Sequence, residues 1–219
     1  MRTTRRASAS TLLIAALGLA SASAHAARPF VTDDARIVDK CQIETYYKEQ
    51  QTYSGNEFWF LPACNTEYLG LPWNFEITAG GNRIEGEKNG ILQAKFLLKT
   101  LQTNGIGYAL SLGMLGDQPY FNTVMSKSIL DDRVVFHGNL GSFRDTGGTW
   151  GYGAEVLLWA PRVYGIFESY GQHRETPTYH YGFRFWIVPD HFQVDMTHGD
   201  QTGAGDRRFY TVGLRFLFP

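Results

Sequence analysis

Apolar and polar residues alternate with a period of two along almost the whole chain from Cys41 onward. This period is typical of β-strands that present one face to an apolar environment. Twelve such runs follow one another, each near the roughly 9–11 residues that a tilted strand needs to cross a bilayer. They span residues 41–50, 57–64, 73–82, 90–101, 106–115, 120–130, 134–144, 149–159, 163–172, 178–188, 191–198 and 208–218.

One face of these runs is large and apolar, and the other is polar, charged or glycine. In the tenth run, Tyr181, Phe183 and Phe185 oppose His180 and Arg184. Soluble lipocalin-like barrels and sandwiches alternate in the same way, so the period alone does not say which face is inside. The chain after residue 26 has no apolar run long enough for a membrane-spanning helix, which excludes a helical membrane protein but not a barrel.

The connectors and the strand count favour a membrane barrel. Connectors after the fourth, eighth and tenth runs are brief, and those after the third, ninth and eleventh are longer and polar. Short periplasmic turns and longer outer loops alternate in this way. An even strand count lets the first and last strands pair antiparallel and leaves no free edge. Residues 41–219 are therefore predicted to form an all-β, closed, antiparallel up-and-down barrel of twelve strands, with ten or fourteen as alternatives.

The last run ends the chain with an alternating apolar face. Its members are Tyr210, Val212, Leu214, Phe216 and Phe218. This resembles the C-terminal sorting signature of outer-membrane barrels, although Pro219 follows the final Phe. The pattern predicts insertion by the barrel-assembly machinery and a place among the outer-membrane lipids of a Gram-negative bacterium.

The first 26 residues are typical of a secretory signal peptide. Arg2, Arg5 and Arg6 form a charged start, an apolar stretch follows, and Ala24-His25-Ala26 offers a cleavage site. A membrane anchor is the alternative, but the apolar stretch is only about half of the roughly 20 residues that a spanning helix needs. Residues 27–40 show no alternation and are interpreted as a periplasmic N-terminal segment.

Charge and cysteine content narrow the function classes further. Removal of the signal takes three of the 20 basic residues and none of the 21 acidic ones, so the mature chain carries a net charge of −4. The sequence shows no clustered basic face, so nucleic-acid binding is not predicted. Cys41 and Cys64 face each other if a tight turn joins the first two strands, which predicts a disulfide in an oxidising compartment. Two free buried thiols are the alternative.

Two segments resemble a known family. The sequence Arg28-Pro29-Phe30-Val31-Thr32-Asp33-Asp34-Ala35 and the strand that starts Cys41-Gln42-Ile43-Glu44-Thr45 resemble the start of the outer-membrane barrels linked to the meta-pathway of phenol degradation. The resemblance implies a transporter that admits small hydrophobic or aromatic solutes. It implies no catalytic residues.

The polar face supplies candidates for a charged belt in the lumen. These are Glu44, Lys48, Glu57, Glu76, Lys95, Lys99, His137, Glu155, Glu168, Arg184, Asp195 and Arg215. One hypothesis is a constriction that selects solutes in a narrow passive channel. The other is a structural network that fills the barrel. Glycines on the same face leave space and favour the channel, with a small molecule as its solute.

An outer-membrane lipid hydrolase or acyltransferase is the enzymatic alternative, because five histidines are present after the signal. Such an enzyme needs a serine beside a histidine base. Ser142 lies on the face opposite to His137, and Ser169 points away from the lumen. No catalytic residue, metal site or cofactor is therefore predicted. A structural or adhesion role is a third alternative, for which the short loops offer little support.

Overall fold

The computed structural model of the chain describes residues 31–51, 55–145, 147–203 and 207–218. The expected signal peptide and its cleavage site lie outside these ranges. Twelve strands fill most of the described chain, and the prediction of twelve is confirmed. The strands are β1 (Cys41–Gln50), β2 (Asn56–Asn65), β3 (Glu76–Ile84), β4 (Glu87–Lys99), β5 (Ile106–Leu115), β6 (Gln118–Ile129), β7 (Val134–Phe143), β8 (Gly147–Trp159), β9 (Val163–Gln172), β10 (Thr178–Val188), β11 (Phe192–Gln201) and β12 (Phe209–Phe218).

The sheet closes on itself. Each strand pairs antiparallel with its neighbours in sequence, and β1 pairs with β12 from Cys41 opposite Phe218 to Gln50 opposite Phe209. No strand edge is left unpaired in this arrangement, which satisfies the backbone of every strand inside the barrel wall. The end at which β1 begins and β12 ends is called the proximal end here, and the opposite end is the distal end.

The outward face is apolar. Leu140 is 67% exposed and Phe183 is 51% exposed, whereas Arg184, the next residue after Phe183, is fully buried. An apolar outer wall around a polar interior is the arrangement of a transmembrane barrel. No helix within the described residues is long and apolar enough to cross a membrane.

The connector lengths differ from the expectation in two places: the link after β4, residues 100–105, is longer than the link after β9, residues 173–177, and the link after β3 is short. The link after β3 is a two-residue turn of Glu85 and Gly86, both with positive φ, rather than a longer loop. The polar residues around it continue the ladder, with Arg83 opposite Lys88. A two-residue turn with both φ values positive matches the right-handed twist of a hairpin. The polar residues around this distal turn therefore belong to the ends of β3 and β4, which extend beyond the apolar part of the outward face.

Three strands carry irregularities near the proximal end. The register shifts between Leu97 and Lys99 in β4, between Leu157 and Trp159 in β8, and between Trp186 and Val188 in β10. One extra residue in a strand reverses the face of the residues that follow it. The last residue of each strand therefore turns outward.

The predicted disulfide between Cys41 and Cys64 is present at the proximal end. The two residues are direct cross-strand partners of β1 and β2, as the hairpin register predicted. The chain enters β1 beside this bond, where the Asn65 N–H donates to the Lys40 carbonyl oxygen at 2.7 Å. The disulfide therefore fixes the hairpin at the point where the preceding segment joins the barrel.

Of the expected periplasmic segment over residues 27–40, the structure describes residues 31–40. Residues 31–38, called the N-terminal segment from here on, lie inside the barrel. Thr32, Asp34, Ala35 and Val38 are all almost fully buried. The segment lacks the alternation of a strand because its contacts come from several strands, among them β3, β6 and β9, rather than from one neighbour.

Candidate functional site

Polar side chains of the barrel wall hold the backbone of the N-terminal segment. Four of its N–H groups donate to these side chains: Val31 and Thr32 to Glu168, Ala35 to Ser126, and Val38 to Glu76. A segment without a strand partner must satisfy its buried N–H groups in another way. Side chains from β3, β6 and β9 do so here and attach the segment to widely separated parts of the wall.

Ion pairs attach the same segment to β4. The Lys95 ammonium lies 2.6 Å from an Asp33 carboxylate oxygen and 3.2 Å from an Asp34 oxygen. Arg36 lies 3.6 Å from the other oxygen of Asp34. The side chains of Lys95 and Asp34 are almost fully buried. A buried charge is stable only with a partner, so these pairs favour the inserted position of the segment.

Arg184 organises a second buried network. Its guanidinium binds both oxygens of Asp195, with Nε 3.0 Å from Oδ1 and Nη2 2.9 Å from Oδ2, and its Nη1 lies 2.5 Å from Glu155 Oε1. The Gln193 amide also donates to Asp195 at 2.9 Å. All four side chains are buried, and the planar guanidinium can bind two carboxylates at once.

Further candidates pair near the closing contact between β1 and β12. Arg215 Nε donates to Gln42 Oε1 at 2.7 Å and lies 3.4 Å from a Glu44 oxygen. Lys48 lies 3.5 Å from Glu57. Opposite charges on adjacent strands thus face the lumen in pairs.

Lys99 is the lumen candidate that the structure places elsewhere. It lies after the irregularity in β4, pairs with Tyr108 and is exposed on the outer face. Leu97, two residues earlier, packs inward against the cluster of Ala35, Ala109 and Val124. Strict alternation predicts that Lys99 faces the lumen, because this pattern does not take the extra residue after Leu97 into account.

Glu168 was a candidate for the charged belt of the lumen, but its carboxylate is fully engaged in contacts inside the protein. Besides the two N–H groups of the N-terminal segment, it contacts Nε2 of His180. Glu168 lies opposite Gly153, and Glu155 lies opposite Ile166, so the two carboxylates are diagonal rather than direct neighbours. Each has its own partners, which removes the repulsion expected between them.

The structure brings together a serine and a histidine that sequence reasoning missed. Ser126 and His137 are direct partners of β6 and β7, with Oγ 2.8 Å from Nδ1, and His137 Nε2 lies 3.7 Å from Glu155. Ser126 Oγ also accepts the Ala35 N–H, and all three side chains are buried away from the cavity described below. This group therefore belongs to the network that holds the N-terminal segment.

The glycines of the lumen face do not leave open space throughout. A Cβ on Gly113 would stand 2.6 Å from the Tyr120 ring, and one on Gly151 would stand 2.5 Å from the Thr32 hydroxyl. The volume above these glycines is filled by a ring and by the N-terminal segment. Toward the proximal end, Tyr164 and Trp186 pack with Leu157 in the interior.

A cavity of about 440 Å³ extends through the lumen from Gln42 and Glu76, near the proximal end, to the distal rim. The N-terminal segment contributes to its wall, and Glu175 and Thr176, both exposed, lie at its distal rim. Inward-facing rings and amides line it: Trp59, Tyr120, Phe143, Tyr170, Gln93, Asn122, Asn139 and Gln172. Its volume lies within the range of about 300–1,000 Å³ that is usual for small-molecule sites.

The overall shape has counterparts among solved structures. The chain is similar to "KdgM porin in complex with disordered oligogalacturonate", with 11% identity, a TM-score of 0.62, and 81% of this chain and 99% of that chain covered. The NanC porin gives 8% identity and a TM-score of 0.59, covering 80% of this chain and 100% of that one. The Omp33 outer-membrane protein of Acinetobacter baumannii gives 9% identity and a TM-score of 0.58, covering 82% of this chain and 98% of that one.

The fold is that of outer-membrane β-barrels. No protein-family model matches the chain, and no curated protein matches its sequence. Because sequence identity is low, the likeness extends to the fold alone, and the chemistry of the lumen must come from the residues of this chain. Across the described ranges, no group of three or more His, Cys, Asp and Glu residues is placed to hold a metal ion.

Proposed function

We propose that the protein is an outer-membrane channel that admits a small solute into its lumen from the distal end. In this proposal the signal peptide directs export, and the proximal end faces the periplasm. The single observation that carries it is the cavity of about 440 Å³ inside the barrel, which reaches the exposed residues of the distal rim. The outward apolar wall supports a place in lipid, since such a surface is unfavourable in water.

The N-terminal segment holds the channel closed in this proposal. It crosses the lumen and is attached by hydrogen bonds to Glu168, Ser126 and Glu76 and by the Lys95 ion pairs. These are polar contacts that water can replace one by one, so displacement of the segment exposes side chains that are stable in water. Passage then requires movement of the segment rather than rearrangement of the barrel wall.

Planar-bilayer recording tests this function. Purified, refolded protein without its signal peptide is expected to show brief openings. Glu168→Gln removes the charge that binds the Val31 and Thr32 N–H groups in the closed state, and it is expected to raise the ratio of open to closed time about tenfold, as loss of one charged hydrogen bond permits. Glu87→Gln is the matched control, because Glu87 is exposed at the distal end of β4.

Two results count against the proposal. Folded Glu168→Gln protein with the wild-type ratio of open to closed time would contradict closure by the N-terminal segment. Silence of both proteins, with barrel folding verified by the heat-dependent shift in gel migration, would contradict the channel and favour a structural barrel.

A further inference from the structure

The link between β2 and β3 presents large apolar side chains to the outside at the proximal end of the barrel. It comprises residues 66–75 and is called the β2–β3 connector here. Tyr68, Leu69 and Leu71 are exposed, and Trp73 is 68% exposed. Glu67 is the one charged residue in this stretch of sequence. Four large apolar side chains on one short connector indicate contact with something other than water.

Hydrogen bonds within the connector hold these side chains in place. The Thr66 N–H donates to the Phe75 carbonyl oxygen at 2.9 Å, and the Leu71 N–H donates to the Thr66 carbonyl oxygen at 3.0 Å. The fully buried Thr66 hydroxyl accepts the Phe75 N–H at 3.1 Å. At the base of the connector, Asn65 Oδ1 accepts the Glu67 N–H at 2.8 Å. Because the backbone is satisfied in this conformation, turning the apolar side chains away from the surface would break these bonds.

Other turns at the proximal end have a different composition. Three of the four residues between β6 and β7 are charged, namely Asp131, Asp132 and Arg133. Arg162 and Asp190 lie in the turns after β8 and β10. Charged turns of this kind are stable in water. The apolar surface is therefore a property of the β2–β3 connector and not of the proximal end as a whole.

The connector adjoins the outward apolar wall of the barrel. The ring of Phe75, its last residue, stacks on the ring of Phe96 with centroids 4.8 Å apart. Phe96 lies on the outward face of β4, because the preceding residue, Lys95, is buried in the lumen. Leu98 is exposed on the same outward face. The apolar side chains of the connector thus continue the surface that faces lipid.

The residue types fit the headgroup layer of a bilayer. Tyrosine and tryptophan have an apolar ring with one polar group, and they are enriched where acyl chains meet headgroups. The Lys40 ammonium lies 5.9 Å from the centroid of the Tyr68 ring, where it can also reach lipid phosphate. A protein partner would require a larger surface, since a stable interface uses about 20–30 residues on each side. Lipid is therefore the occupant that the connector fits.

We propose that the β2–β3 connector is an interfacial anchor, and that Tyr68, Leu69, Leu71 and Trp73 enter the headgroup layer of the leaflet at the proximal end. In that layer the apolar side chains leave water while the backbone keeps its internal hydrogen bonds. The anchor lies on one side of the barrel, so it also favours one tilt of the barrel axis. This inference does not depend on whether the lumen conducts.

Electron paramagnetic resonance of a nitroxide label tests the proposal in phosphatidylcholine vesicles. Leu71→Cys places the label on the connector, Leu98→Cys on the outward wall, and Arg162→Cys in a charged proximal turn. The native cysteines stay in their disulfide and do not react. Oxygen concentrates in lipid, whereas a nickel chelate stays in water. The ratio of oxygen to nickel collisions is expected to be at least about fivefold higher at position 71 than at position 162, as for a site that has left water, and highest at position 98.

Two results overturn the anchor. Equal ratios at positions 71 and 162 would place the connector in water. A label at position 71 that neither reagent reaches, or one broadened by a second label nearby, would show that protein covers the connector, with a second copy of the chain indicated by the broadening. Leu69→Cys repeats the measurement if Leu71→Cys does not fold, as judged by heat-dependent gel migration. Barrels that never conduct can still give the expected ratio, so failure of the channel and failure of the anchor are distinguishable.

Discussion

Gly151 of β8 lies against Thr32 of the N-terminal segment, so closely that a Cβ atom on Gly151 would stand 2.5 Å from the Thr32 hydroxyl oxygen. Gly151→Ala is therefore expected to displace the segment, because overpacking of this kind costs about 1–3 kcal/mol. The measurement is the rate of tryptic cleavage after Arg36, followed by mass spectrometry, which we expect to rise about tenfold.

Gly138→Ala serves as the control for that experiment. A Cβ on Gly138 meets nothing within 4 Å, so cleavage should stay at the wild-type rate. Equal rates in Gly151→Ala and wild type would mean that the segment does not depend on this close contact.

Lys95 and Lys99 lie four residues apart on β4 but in different environments. Lys95 is buried between Asp33 and Asp34, whereas Lys99 is exposed on the outer face. Lys95→Met leaves Asp33 without its cation and Asp34 with Arg36 alone, and it is expected to lower the free energy of unfolding by about 3–5 kcal/mol. Lys99→Met is expected to change it by less than about 0.5 kcal/mol. Denaturant titration in detergent compares them, and a similar loss in both variants would place Lys99 back in the lumen.

Arg184 is expected to be indispensable only while its acidic partners remain. Arg184→Met strands Asp195 and Glu155 in the interior, and Arg184→Lys lacks the planar group that binds both. Both variants should unfold at lower temperature in heat-dependent gel migration. Adding Glu155→Gln and Asp195→Asn to Arg184→Met removes the uncompensated charges and should recover most of the loss. A triple variant no more stable than Arg184→Met would show that packing, rather than charge, dominates at this position.

The disulfide is expected to stabilise the barrel without being needed for its shape. Cys41→Ser with Cys64→Ser leaves the β1–β2 and β1–β12 pairings intact, so the barrel should still form. The free energy of unfolding should fall by about 3 kcal/mol, the usual contribution of a bond that closes a loop of this size. Reduction of the wild-type protein should reproduce the effect, and an unchanged denaturation midpoint in both cases would contradict it.

Alternation along the chain was sufficient to predict the wall of the barrel. It located every strand, and the spacing of Cys41 and Cys64 around a short turn predicted their pairing. These features are local, because each depends on residues within one hairpin. The Ser126–His137 contact was equally accessible, since the hairpin between β6 and β7 sets the two opposite each other. Comparison of serines and histidines along a single strand does not reveal it, because the two residues lie on different strands.

The lumen was less predictable, and the reasons are physical. The N-terminal segment has no period, and its partners, such as Glu168 and Lys95, are more than 60 residues away in sequence. An unbroken alternation also assumes that no strand contains an extra residue. Lys99 shows the result, because one irregularity after Leu97 is enough to turn a charged side chain outward.

The irregularities in β4, β8 and β10 have a consequence for how deeply the barrel sits in a bilayer. They give Lys99 and Trp159 an outward position at the proximal rim, where Trp159 is 74% exposed. An indole prefers the headgroup layer, and a lysine can extend its ammonium to phosphate there. Sinking or rising of the barrel would pull these groups away from that layer, so the extra residues that break the ladder also anchor the protein at one depth.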